Sequence, residues 1–142
     1  MKKIVLSLLL ILPFLLNSCE GNGPNELEKY EGIWNAALTL TTSIDGEQSM
    51  ITESSSQVEI TAGENVIYID QSSYKVSGNI ITMPKTTLKN SLMGMIMETT
   101  TEADGTITDD KIEIQQIINT KVTYPDETVM NTKQIIDMIL TK

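Results

Sequence analysis

Arginine and histidine are absent from this chain, cysteine occurs once, at Cys19, and aromatic residues number six: one Trp, one Phe and four Tyr. Each absence excludes something. With nineteen acidic residues against ten lysines and no arginine, a nucleic-acid backbone would repel the protein, so that class of partner is set aside. Without His or Arg it lacks the usual general base and the usual clamp for an oxyanion or phosphate. No Gly-x-Ser-x-Gly elbow is present, and the carboxylates fall at spacings that suit solvated surfaces and turns. The expectation is a non-enzyme that needs no cofactor. A single cysteine cannot form a disulfide within the chain, so stability must come from packing.

What is present begins with Lys2 and Lys3, followed by an apolar run from Ile4 to Leu16 broken only by Ser7 and Pro13. That run is short for a bilayer span, and with its basic start it reads as a secretory signal. It ends in Leu16-Asn17-Ser18-Cys19, which resembles the bacterial lipobox. The resemblance implies cleavage after residue 18, diacylglycerol on the Cys19 thiol and an acyl group, such as palmitate, on its new amine. Such chains hold a protein on a membrane because each buried CH₂ contributes about 0.8 kcal/mol. Glu20 is not the aspartate associated with inner-membrane retention, so the expected address is the outer membrane of the bacterial envelope. Residues 19–142 number 124 and carry eight lysines against nineteen acids, a side-chain charge of −11. An anionic lipid surface would repel that charge, leaving the acyl anchor to do the holding.

Three segments are expected: 1–18 a signal peptide, 19–29 the lipidated cysteine and a tether, and 30–142 one β-domain. Glu20 to Asn25 is rich in Gly, Asn and Pro and contains no apolar residue, as suits a flexible linker. Asn25 to Tyr30 is expected to form one helical turn capped by Asn25. Beyond it, Trp34, Ala36, Leu38 and Leu40 alternate with Asn35, Ala37, Thr39 and Thr41, the period of a half-buried strand. Val58 and Ile60 are expected inside, as are Ile112, Ile114 and Ile118. Turns are expected at Asp45-Gly46, 62–65, 77–79, 103–105 and 125–127, with Pro84 ending the strand that begins at Ile80. Residues 86–96 read as a short helical piece followed by a strand from about Leu92. The segment 135–140 is compatible with a helix, but its β-branched content favours a strand. About eight short strands joined by tight turns fit an all-β antiparallel barrel or sandwich, and a closed eight-stranded barrel has the advantage of leaving no edge.

Gly32-Ile33-Trp34, at the head of the first strand, resembles the Gly-x-Trp opening of lipocalin and calycin barrels. The wider layout is similar to that of lipocalin-like or calycin-like lipoproteins of Bacteroidota. The resemblance implies that Trp34 plugs the closed end of a barrel whose cavity holds a small apolar molecule. In that family the tryptophan packs against an arginine from the end of the barrel, and this chain has none. Met93, Met95 and Met97 read as one strand face, which with Trp34 is expected to wall the ligand site; polarisable thioethers suit such a cavity. Thioethers also suit Cu(I), but no His or free Cys completes a site, and ordinary core packing is the favoured use. Residues 104–110 look like the middle of a calcium loop, yet Lys111 falls where the bidentate Glu belongs, so no metal is expected there. The expected function is ligand binding by a lipid-anchored barrel. The alternative is a packed interaction module contacting another envelope protein or a glycan.

Overall fold

The computed structural model describes residues 25–142; residues 1–18, expected to be a signal peptide, Cys19 and residues 20–24 lie outside the described residues. A single 3-10 turn, Glu28–Tyr30, leads into β1 (Gly32–Ile44), β2 (Glu47–Ala62), β3 (Val66–Ile69) and β4 (Ser72–Ser77), then β5 (Ile80–Leu92), β6 (Met95–Ile107), β7 (Lys111–Thr123) and β8 (Val129–Thr141). Each strand pairs antiparallel with the next, and β8 returns to β1. The result is an all-β, closed, eight-stranded up-and-down barrel.

Side chains alternate between faces, and residues opposite each other in register share one. Ala36 faces Leu140, which faces Ile112, which faces Ile107, and all four are buried. This series defines the inside. Trp34, Val58, Ile60, Ile67, Ile69, Tyr74, Val76, Ile81, Ala103 and Ile114 complete the core with them, and Tyr30 closes it from the 3-10 turn. Burying each isoleucine contributes roughly 1.5–3 kcal/mol, which is where a barrel without disulfides finds its stability. The described core and strands lie within residues 25–142, all of which a chain from Glu20 to Lys142 contains.

All of this core sits at one end, because β3 and β4 are short. They have four and six residues, against thirteen to sixteen in the other six strands. β2 meets β3 only through Ile60–Ala62, and β4 meets β5 only through 75–77 and 80–82. Beyond that ring, β2 from Glu47 to Val58 and β5 from Met83 to Leu92 have a strand partner on one side only, among the described residues. The barrel is therefore a closed ring at its floor and a six-stranded trough above, open between β2 and β5.

Several expectations need correction. The strands are mostly long rather than short, because Thr- and Ser-rich stretches without core-facing apolar residues still pair; threonine suits a pleated surface. Residues 86–96 contain no helix: β5 runs to Leu92, Met93 (φ 51°) and Gly94 (φ 80°) turn the chain, and β6 starts at Met95. Met93 therefore does not share a strand face with Met95 and Met97. Pro84 does not end β5 but sits in a bulge between Met83 and Thr86, where its missing N–H costs no ladder bond. Residues 103–105 make no turn, since they lie inside β6; the chain reverses at 108–110 instead. Residues 25–29, assigned to the tether, are seated on the barrel. Asn25 Nδ2 donates to the Gly63 carbonyl at 2.6 Å, and Leu27 packs against the core. Asn25 does not cap the 3-10 turn, whose cap residue is Leu27; its Oδ1 accepts the Leu27 N–H instead. Segment 135–140 is strand, within β8.

Candidate functional site

The floor of the trough is built around Trp34. Its side chain is fully buried, and its indole N–H donates to the Tyr30 carbonyl at 2.8 Å. An indole needs such a partner when it leaves water, and the 3-10 turn supplies it by placing the Tyr30 carbonyl at the ring's N–H edge. Lys142, just past β8, sets its ammonium 5.5 Å from the Trp34 ring centroid and donates to the Lys29 carbonyl at 2.8 Å. A lysine thus provides the cation over the tryptophan face, an arrangement that is favourable through the ring quadrupole. Lys29 in turn meets Asp109 at 2.6 Å, and the Asp109 carboxyl is held below its ordinary pKa by that hydrogen bond. The closed end is strapped by contacts that span the whole described chain. Tyr74 is also in this floor, and burial raises its phenol pKa, with the Ser72 hydroxyl acting against it.

Above the floor, register carries the inward face upward. Leu38 and Leu40 of β1 lie opposite Met138 and Ile136 of β8. Ile118 of β7, Met95 and Met97 of β6, Leu88 and Leu92 of β5 and Met50 of β2 occupy the same inner face. These side chains have no cover among the described residues. Leu38, Leu40, Ile118 and Ile136 are only half-buried, and Leu88 and Leu92 are 67% and 68% exposed. Between them stand neutral polar groups: Thr52, Ser54 and Ser56 on β2, Thr99 and Thr101 on β6, and Gln116 on β7.

One polar group inside differs from the rest. Thr42, on β1 between Met50 and Gln134 of the neighbouring strands, is 9% exposed, and its Oγ1 is buried without a hydrogen-bond partner among the described residues. Its backbone carbonyl is satisfied by the Ser49 hydroxyl at 3.2 Å. Buried hydroxyls are normally bonded, so an unpaired one calls for an explanation.

Of the expected site residues, the structure brings Met95 and Met97 onto the trough wall, places Trp34 in the floor beneath it, and leaves Met93 in the turn at 87% exposed. Three thioethers therefore do not converge. Among the described residues no three acidic side chains cluster as a metal site would need. Ser72 and Lys75 have the spacing of a nucleophile and its base on a helix, but on β4 that spacing puts them on opposite faces. The arrangement offers dispersion contacts and neutral hydrogen bonds. Thr42 was missed in the sequence because nothing local marks one threonine in a Thr-rich strand as buried and unpaired.

Two further concavities, of about 210 and 480 Å³, lie on the outer surface. The first is lined by Glu98, Lys121 and Lys133 among others, the second by Asp104, Glu113 and Asp137. Both are shallow and charged, unlike the trough. Compared with models of protein families, with curated proteins and with solved structures, the chain finds no match.

Proposed function

We propose that this protein is a lipid-anchored, non-catalytic component of a bacterial envelope whose trough binds a small apolar ligand. The observation that carries this reading is the uncovered apolar lining above a fully packed floor. Leu88, Leu92, Met50 and Met97 lie exposed on the concave face. Soluble proteins do not usually leave such surface in one concavity unless something occupies it. Methionines at the wall suit an adaptable fit, and Trp34 acts as the floor that ends the site. Anchoring rests on the Leu16-Asn17-Ser18-Cys19 sequence, and the outer membrane is the address proposed.

The test is mass spectrometry of the chain from Glu20 to Lys142, purified natively and then denatured. A stoichiometric apolar compound supports the reading. An empty protein that stays empty after incubation with an envelope lipid extract refutes it.

A second reading is favoured by a different observation, the one-sided pairing of β2. β5 guards its open edge with Pro84, Lys85 and Lys89, whereas β2 from Glu47 to Val58 contains neither proline nor lysine. Unguarded edges accept an added strand. On this reading the protein is an interaction module whose envelope partner pairs with β2, and proline at Ile51 should abolish its capture of that partner.

A further inference from the structure

We propose that the trough selects an uncharged amphiphile, an apolar body carrying a hydroxyl or carbonyl group, and that Thr42 receives that group. This rests on the ligand-binding reading above and adds the class of ligand and its anchor.

The first argument is the charge pattern. Traced through the register, the inward positions that have a cross-strand partner hold a single charged side chain, Glu47, beside the turn at the lip, and Lys85 lies in the β5 bulge outside that register. The lysines of the strands, such as Lys89, Lys121 and Lys133, sit on the outer face. A carboxylate drawn into the trough would give up water and find no cation in exchange, which is strongly unfavourable. The surrounding charge, −11 beyond residue 18, opposes the approach of an anion as well.

The second argument is Thr42 itself. Its hydroxyl can both donate and accept, it is buried on the inner face, and it has no partner among the described residues. The Gln134 amide stands opposite it on β8 and can supply a second hydrogen bond. Directly below, Leu40 faces Ile136 and Leu38 faces Met138. At about 3.4 Å per residue, Thr42 to Leu38 spans roughly 14 Å of wall. The geometry therefore orients the ligand with its polar group towards the lip and its apolar body down against Leu40, Ile136 and Leu38.

Titration calorimetry on the chain from Glu20 to Lys142 at mildly alkaline pH, with dodecanol, dodecanoate and anthracene, tests this. Dodecanol should bind at least about tenfold more tightly than dodecanoate. Thr42→Val should weaken dodecanol by about three- to tenfold, the effect of one neutral hydrogen bond, while leaving anthracene unchanged. Thr42→Ser keeps the hydroxyl and should keep the dodecanol affinity, which guards against a valine variant that folds poorly. Dodecanoate binding as tightly as dodecanol overturns the neutral class. An unchanged dodecanol-to-anthracene ratio in Thr42→Val overturns the anchor. Anthracene binding without dodecanol sinks this inference alone, whereas no binding by any of the three sinks the ligand-binding reading with it.

Discussion

Gly105 offers a sharp test of the wall itself. It lies inside β6, opposite Ile114 of β7, and a Cβ built on it would overlap the Glu113 carbonyl oxygen and come within 2.9 Å of the Glu113 carbonyl carbon and Ile114 Cα. All three are backbone atoms, so no side-chain rotation relieves the clash. Gly105→Ala must push β6 away from β7 at the level where Ala103, Ile107, Ile112 and Ile114 are packed. Overpacking a tight core costs about 1–3 kcal/mol, and backbone collision places this case at the upper end. For a domain of this size, ~3 kcal/mol lowers Tm by roughly 10–15 °C. Gly63→Ala is the matched control: its Cβ would meet only Tyr68 and Val66 at ordinary contact distances of 3.6–3.9 Å. There the loss of unfolded-chain entropy should leave stability unchanged or raise it by about 0.4–1 kcal/mol. Thermal unfolding followed by far-ultraviolet circular dichroism reads both. A Gly105→Ala melting point within about 2 °C of the parent would refute the close approach of β6 to β7.

Trp34→Ala should cost ~3–5 kcal/mol, since it empties the centre of the floor; urea unfolding with an unchanged midpoint would show that the indole does not carry the packing assigned to it. Tyr74 makes the fold sensitive to alkali. Because burial raises its phenol pKa, the unfolded chain ionises first as pH passes about 10. Stability is therefore fully present below that pH and falls as pH rises through the folded value. Tyr74→Phe should flatten that decline, and an identical alkaline loss in both proteins would assign it to other groups. Cys19→Ala should abolish lipoprotein processing and release of the signal, read by the mass of the product and by acyl labelling. A normally matured, acylated variant would refute the anchor.

Much of the inside and outside of the barrel was legible in the chain. Trp34, Ala36, Leu38 and Leu40 face inward, as do Val58, Ile60, Ile112, Ile114 and Ile118, because a two-residue period is a property of one strand. Asp45-Gly46, with both residues at positive φ, is a hairpin turn whose residue preference is local, and so it too could be read. Met93-Gly94 could not, since methionine seldom occupies the left-handed region and Gly94 alone is a weak turn signal. Gly105 looked like a turn because a glycine required by a neighbouring backbone has the same letter as one required by a bend.

The features that make a site are of this second kind. The trough exists because β3 and β4 are too short to follow β2 and β5 upward, and only the closed ring reveals which edges lack a partner among the described residues. Thr42 became the anchor through burial beside Met50 and Gln134, residues eight and ninety-two positions away in sequence. Lys142 came to lie over Trp34 because β8 pairs with β1. Local pattern sets which way a side chain points; which groups then meet, and which are left unpaired, is decided by contacts between distant strands.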